Sequence, residues 1–169
     1  MKSETQRITS IAELDALVGR YVTEEVPETY WEDSHGYFQF HSEVEARRAI
    51  CDPYYQRFLS EVDWSKTVVR EVQVFRRYSV DPEANWYLCE KAILRFGPAR
   101  LSKETGRWHA SFGTCAVAEA RTPTIAICLA ALRAAGINLL IDHDRLDFQL
   151  RQAEHVHEFH NHNGHSSSN

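Results

Sequence analysis

Apolar residues recur three and four positions apart in several stretches of the chain, which is the spacing of one helix face. The most regular stretch is TPTIAICLAALRAAG, from Thr122 to Gly136. Thr122 is a favoured N-cap, Pro123 suits the first helical turn, and Gly136 suits the position after the last turn. Because the segment is apolar nearly all round, it predicts a central, buried helix.

A second strong helix start precedes the sequence PEANWYLCEKAILRF. Asp81 is the predicted cap and Pro82 the first helical residue, while Gly97 and Pro98 end the helix. Its apolar residues at spacings of three and four are Trp86, Cys89, Ile93 and Phe96. The first two of these are predicted to belong to the core rather than to a site.

Shorter helices are predicted upstream. A serine and a glutamate at capping-box spacing begin a helix over about residues 11–21, which is expected to break near Gly19. Ser42 caps a second helix, SEVEARRAIC, and Pro53 begins a third, because the residue before a proline leaves helical geometry. Residues 1–10 are polar and are expected to be frayed.

Alternating apolar and polar residues predict strands between the two strong helices. Residues 99–102 and 107–112 are predicted to form a hairpin, and CAVAEA, residues 115–120, a third strand. The order helix, strand, strand, strand, helix favours an antiparallel β-meander packed with helices. With the N-terminal helices and an amphipathic C-terminal helix from about Asp142, the predicted fold class is α+β, built on an α-β-β-β-α core unit.

Two segments carry mixed signals. Residues 23–40 are acidic and aromatic and are interrupted by Pro27 and Gly36, so most of this segment is expected to be loop, with a short strand over about residues 37–41. In residues 66–78 the apolar positions fit either a strand or one face of a helix, with a lean to extended structure. That choice stays open.

The composition is typical of a globular protein, with 169 residues, 43% hydrophobic and 25% charged. No apolar stretch approaches the roughly 18 residues needed to span a bilayer, and the N-terminus lacks the apolar core of a signal peptide. We therefore expect no membrane association and a cytoplasmic location. The four cysteines include no CxxC pair, which favours buried, reduced thiols.

The pattern YSVDPEANWYLCEKA, followed at similar spacing by GRWHASFG and AEARTPTIAICLAALRAAG, resembles the phage ABA sandwich domain family. The matching residues are Tyr78, Ser79, Asp81, Trp86, Trp108, Ala118, Ala120, Ala126, Ile127, Cys128, Ala130, Ala131 and Leu132. The resemblance covers about residues 75–136 of a single α+β domain predicted over residues 11–154. It implies a small phage or prophage protein acting in the cytoplasm of its bacterial host, and it brings no catalytic residues. Residues 42–75 and the histidine-rich tail are additional to the family pattern.

Two groups of side chains are candidate sites. The first is an aromatic cluster that could line a ligand pocket or pack onto the core as a loop, and it contains Tyr30, Trp31, His35 and Tyr37. The second lies in the tail, residues 155–169, which is expected to be disordered and contains His155, His157, His160 and His162. Neutral imidazoles bind zinc, nickel or copper, but a flexible tail offers no fixed ligand geometry.

The leading hypothesis is a phage or prophage accessory protein that is not an enzyme and that binds a host protein or a small ligand. No cofactor is predicted, and the oligomeric state is left open. One alternative is metal binding through the tail. The other is a nucleic-acid-binding module, since the order of elements resembles the double-stranded RNA-binding domain. Two observations argue against nucleic acid. The net charge is −5. The double-stranded RNA-binding domain binds phosphates with lysines at the start of its second helix, whereas the corresponding helix here has no cation between Arg121 and Arg133.

Overall fold

The structure is a computed structural model that describes residues 5–35, 39–58, 63–115, 117–141 and 146. The chain divides into two compact units. Residues 1–26 and 76–169 form the first, called here the main unit, and Pro27–Phe75 form the second, called the insert unit. The predicted α+β class is confirmed. The prediction of one domain over residues 11–154 stays a prediction.

Helices and strands alternate irregularly along the chain. In chain order they are β1 (Thr5–Ile8), α1 (Ile11–Val18), β2 (Glu28–Asp33), β3 (Gln39–Phe40), α2 (Glu43–Cys51), α3 (Pro53–Phe58), β4 (Val69–Val74), α4 (Pro82–Phe96), β5 (Ala99–Glu104), β6 (Arg107–Phe112), β7 (Ala118–Ala120), α5 (Pro123–Ala134) and β8 (Asn138–Ile141). A π-helical turn, Gly19–Thr23, continues α1, and a 3₁₀ turn occupies Trp64–Lys66.

The main unit is organised around the antiparallel sheet β5-β6-β7. The hairpin between β5 and β6 closes through Thr105 and Gly106, both at positive φ (49° and 83°), as a two-residue turn that suits the twist of the strands. α5 packs on β6 and β7, and α4 packs against α5. The predicted α-β-β-β-α core unit is therefore confirmed, although β7 begins only at Ala118.

α5 is the central buried helix that its sequence predicts. The Thr122 hydroxyl accepts the Ile125 N–H at 3.4 Å, and Pro123 occupies the first turn. Its fully or almost fully buried residues are Ile125, Ala126, Cys128, Leu129, Ala130, Ala131 and Leu132. The small side chains of this helix, four alanines and one cysteine, let the sheet and α4 approach closely.

α4 begins and ends as expected, and Cys89 and Phe96 of its predicted core face do pack against the core, whereas the prediction for Trp86 is wrong. The Asp81 carboxylate caps it by accepting the Glu83 N–H at 2.9 Å. The residues that α4 buries are Ala84, Asn85, Leu88 and Ala92. Trp86 is instead 68% exposed and Ile93 43% exposed. Packing against the alanine-rich α5 selects the face with small side chains and rotates the bulkier stripe away.

The N-terminus differs from the expectation of a frayed segment. Thr5–Ile8 pairs in parallel with Asn138–Ile141, and Ile8 is completely buried. The strand exists because a partner far along the chain satisfies its backbone groups, which local polarity does not reveal. The α-helix that follows ends at Val18, at the predicted break near Gly19, and the chain continues as the π-helical turn.

The insert unit contains the sheet β3-β2-β4 together with α2 and α3. The prediction that Glu28–Asp33 is loop was wrong, since this strand pairs antiparallel with Val69–Val74 over its whole length. The open choice at residues 66–78 is resolved as a strand by the same pairing. Ser42 caps α2 by accepting the Glu45 N–H at 3.2 Å, and Pro53 starts α3, as predicted.

The chain leaves the main unit after Val26 and returns at Arg76. Glu25, just before the exit, contacts two residues at the return. Its Oε1 lies 3.1 Å from Arg76 Nε, and its Oε2 accepts the Tyr78 hydroxyl at 2.5 Å. Tyr78 is completely buried, and its hydroxyl also lies 2.9 Å from Thr23 Oγ1. Burial and the Glu25 carboxylate raise the pKa of Tyr78, so it stays a neutral donor.

Near the C-terminus, Leu146 is 2% exposed and belongs to the core of the main unit. The rest of the helix predicted from about Asp142, and the tail of residues 155–169, lie outside the described residues. Across the described ranges, none of the helices combines the length and apolarity needed to cross a membrane.

Candidate functional site

The aromatic cluster predicted as a ligand site lies in the insert unit and is not gathered into one pocket. Tyr30 and Trp31 are neighbours on β2, so their side chains point to opposite faces of the sheet. The His35 N–H donates to Asp33 Oδ1 at 2.9 Å, and His35 Nε2 lies 3.2 Å from Thr67 Oγ1. Tyr37, the fourth member, lies outside the described residues.

Tyr30 makes its own local contacts. Its hydroxyl donates to Glu28 Oε2 at 2.5 Å, and this bond to the carboxylate raises the pKa of Tyr30. The Tyr30 ring lies 5.3 Å from the His41 ring at a tilt of 46°. The Tyr30 hydroxyl is therefore bonded to a carboxylate of its own strand, two residues away.

The histidines predicted as metal ligands, His155, His157, His160 and His162, also lie outside the described residues. Among the residues that the structure does describe, no group of three or more His, Cys, Asp or Glu side chains is placed to hold a metal ion. The four cysteines are free thiols, with Cys128 buried, Cys89 and Cys115 half-buried and Cys51 exposed.

The main unit has an apolar groove between α4 and the β5–β6 hairpin, closed at one end by the start of α5. Its volume is about 340 Å³. The apolar side chains that form its walls include Trp86, Cys89, Ile93, Leu101, Phe112 and Ile127. We call this surface the α4–β5 groove, and its size falls at the lower end of the range of small-molecule pockets.

The wall on the α4 side is the stripe that the sequence predicted to be core. Trp86, Cys89 and Ile93 stand at spacings of three and four, so they share one helix face. That face borders the buried face of α4 and looks over β5 instead of into the core. On β5, Leu101 points to the same side as the buried Ala110 opposite it and is 46% exposed.

Three polar side chains near the groove, Asn85, Thr124 and Trp86, are already bonded within the protein. Asn85 Nδ2 donates to the carbonyl oxygens of Tyr78 at 2.9 Å and Thr124 at 3.2 Å. The Thr124 hydroxyl donates to the Ser79 carbonyl at 2.6 Å. The Trp86 indole N–H donates to Glu90 Oε1 at 3.0 Å, which orients the ring. The groove therefore offers a ligand mainly apolar contact.

The Cys89 thiol, which lines the groove, acts as an apolar side chain and not as a nucleophile. Burial raises the pKa of Cys89, so the thiol stays protonated at neutral pH and is a poor nucleophile. Burial also raises the pKa of Cys128, with the Asp15 charge as a second cause. Both sulfurs act as small apolar side chains beneath and beside the groove.

A buried carboxyl group holds the turn from which α4 starts. Asp15 is 4% exposed, and its two carboxyl oxygens bind the Ser79 backbone N–H at 2.8 Å and the Ser79 hydroxyl at 3.0 Å. Burial raises the pKa of Asp15 to about 7, against the two bonds from Ser79 and the charge of Arg77, which lower it. Near neutral pH this group is therefore partly protonated.

These contacts explain why the sequence pattern around Tyr78 stands out. Tyr78 bonds to Glu25, Ser79 bonds to Asp15, and Asp81 caps α4. Each of these side chains holds a backbone segment in place. The pattern is a structural clamp at the start of α4, in which Tyr78 and Ser79 are buried and Asp81 lies exposed at the cap.

Comparison of the chain with protein-family models found no match, and comparisons with curated proteins and with solved structures found none either. The resemblance to the phage ABA sandwich domain family stays a prediction. Sequence reasoning missed the α4–β5 groove, because helical spacing identifies an apolar face without showing what that face packs against. The interpretation of the groove therefore rests on its geometry.

Proposed function

We propose that this chain is a non-enzymatic binding protein that takes a small apolar ligand in the α4–β5 groove. The observation that carries the proposal is the 68% exposure of Trp86 at the wall of a concave, apolar surface. Large aromatic side chains that remain exposed beside a cavity contribute strongly to binding, because they bury much area at a small cost in conformational entropy.

The chemistry of the walls supports an uncharged, largely hydrophobic ligand. Trp86, Ile93 and Leu101 leave apolar surface in water, and a ligand that covers it gains about 25 cal/mol for each Å² buried. Asn85 and Thr124, two polar groups nearby, already have partners within the protein. A ligand with a strongly charged centre would lose hydration there without a matching group.

The same proposal includes the setting implied by the resemblance stated above. In that setting the chain is an accessory protein of a phage or prophage and works in the cytoplasm of the bacterial host. Support for this part comes from the pattern of residues 75–136 alone, so it is separate from the argument on the groove.

Titration of the full-length protein with the uncharged, apolar fluorophore N-phenyl-1-naphthylamine tests the groove. We expect saturable binding with quenching of tryptophan fluorescence. Trp86→Phe should keep the binding and lose most of the quenching, since Trp86 is the tryptophan that lines the groove. Ile93→Asp should weaken binding by about tenfold or more, because the apolar wall then carries a charge.

The matched control is Leu94→Asp. Leu94 is the next residue on α4 and is 84% exposed, but it does not line the groove, so the same charge at almost the same position should leave the affinity unchanged. Equal loss of affinity in both variants would refute the groove as the site. So would unchanged binding in Ile93→Asp with an unchanged circular dichroism spectrum.

A further inference from the structure

β5 is an open edge of the main sheet. All six of its residues are exposed, and within the described ranges its only partner in the sheet is β6. Strands of this length at the edge of a sheet present a row of unpaired backbone N–H and C=O groups. Such a row can pair with another strand.

The hydrogen bonding of the hairpin identifies which residues of β5 face outward. The Gly113 N–H donates to the Pro98 carbonyl at 2.9 Å, one step beyond the paired residues Ala99 and Phe112. Bonded and non-bonded pairs alternate along an antiparallel ladder, so the even-numbered residues of β5 bond to β6. The backbone groups that point away from β6 belong to Ala99, Leu101 and Lys103.

We propose that β5 is a self-recognition strand, through which two copies of this chain pair antiparallel about a twofold axis at Ser102. In this register, Arg100 of each copy lies opposite Glu104 of the other. Both side chains are exposed and lie on the same face of β5, away from α4. Opposite charges directly across an antiparallel pair stabilise it, and the symmetry repeats the contact.

The backbone is compatible with this register, as it is with any register that sets the odd-numbered residues of β5 opposite one another. With Ser102 on the axis, Leu101 of one copy lies opposite Lys103 of the other. Both have outward-facing N–H and C=O groups, so each pair can exchange two backbone hydrogen bonds. A shift of two residues removes the Arg–Glu pairs by setting Arg100 against Ser102. A parallel arrangement sets like charges beside each other.

Charged residues on an edge strand ordinarily discourage pairing with other strands. Here Arg100 and Glu104 stand at equal distances on either side of Ser102, so this strand is complementary in charge to a second copy of itself in that register. The helix-facing side chains of the added strand would lie on the side of the sheet that carries the exposed Trp86 and Ile93. The inference does not depend on a ligand in the α4–β5 groove.

Sedimentation equilibrium of the full-length protein at low ionic strength, from about 10 µM to about 1 mM, tests the pairing, since a small polar interface associates weakly. We expect a monomer–dimer equilibrium. Arg100→Glu and Glu104→Arg should each weaken dimerisation about tenfold or more, because each sets like charges opposite one another. The double variant should return to within about threefold of the original dissociation constant.

Two further variants separate pairing from loss of fold. Lys91→Glu makes the same charge change as Arg100→Glu but on α4, and it should leave the dissociation constant unchanged. Leu101→Pro removes an outward-facing N–H without breaking the bonds to β6, so it should abolish the dimer while the thermal unfolding of the monomer persists.

A chain that stays monomeric at about 1 mM would overturn the proposal and favour an extended segment of another protein as the occupant of the edge. Dimerisation that neither single charge reversal weakens would place the interface elsewhere. Failure of the double variant to restore it would overturn the register. None of these outcomes bears on fluorophore binding in the groove.

Discussion

Replacing Asp15 by Asn should remove a pH dependence that one buried carboxyl group imposes on the stability of the main unit. In the unfolded chain this group loses its proton near its ordinary pKa of 3.8, whereas in the folded protein the pKa is raised to about 7. Between these values the folded state binds about one more proton than the unfolded state. The free energy of unfolding therefore falls as pH rises through this window.

The size of the effect follows from the two pKa values. One pKa unit corresponds to about 1.4 kcal/mol, so the full contribution is about 4 kcal/mol. It is fully present below pH ~4 and is lost as pH rises through ~7. Between about pH 5 and about pH 8 the expected loss is roughly 2.5 kcal/mol. An asparagine has the shape of the protonated acid and can still accept the Ser79 N–H, so Asp15→Asn should not show this loss.

Urea denaturation followed by far-ultraviolet circular dichroism, at several pH values, measures the difference. The variant should gain stability relative to the original protein steadily from about pH 5 to about pH 8. Asp63→Asn is the control without a pH dependence, because the hydrogen bond to Lys66 lowers the pKa of Asp63 from its ordinary value of 3.8. Asp63 is therefore ionised in the folded and the unfolded chain from about pH 5 to about pH 8, and its replacement should change the free energy of unfolding equally across this range. If the difference between Asp15→Asn and the original protein is independent of pH, Asp15 is ionised in the folded state and the reasoning is refuted.

Two further predictions concern the ends of α4. Gly113→Ala should destabilise the protein by about 2 kcal/mol or more, because the backbone has a φ of +56° and the added Cβ would lie 2.2 Å from the Phe96 carbonyl oxygen. Gly106→Ala is the control, since its φ is also positive (+83°) but the space around it is open, and it should cost only about 1 kcal/mol. Equal costs in urea denaturation would contradict this. Asp81→Ala should cost about 1 kcal/mol through loss of the cap, and Asp81→Ser should recover most of it; a serine no better than alanine would show that the cap contributes little.

The starts of the helices could be predicted from sequence because capping is local. Ser10, Ser42, Asp81 and Thr122 each bind a backbone N–H within a few residues, so the signal and its partner lie in the same short segment. The buried character of α5 was equally visible, since almost every position of that helix is apolar. The order of elements from α4 to α5 followed from these starts and from the alternation in β6.

The strands Thr5–Ile8 and Glu28–Asp33 could not be predicted in the same way. Their sequences are polar or acidic, and each becomes a strand by pairing with residues far along the chain. Buried Asp33 and Glu32 on β2 run against the usual exposure of acidic residues. Glu32 is compensated there by Arg70, whose Nη2 lies 2.5 Å from its Oε1, a partner that local patterns do not identify.

The candidate site was missed for a related reason. The spacing of Trp86, Cys89 and Ile93 correctly describes one face of α4, but two faces of this helix are apolar. Only the close packing of α4 on α5 decides which face is buried, and that packing depends on small side chains of both helices. The face that was left over became the wall of a groove.

The bridge that Glu25 makes to Arg76 and Tyr78 has an evolutionary consequence. It fixes the place where the chain leaves the main unit next to the place where the chain returns. Residues 27–75 are therefore an insertion whose two ends are held together by contacts of the main unit. Closing a loop whose ends are held in place costs little more when the loop becomes longer. Lineages of this protein could therefore shorten, replace or enlarge the insertion while the main unit, with its groove and its open strand, is inherited unchanged.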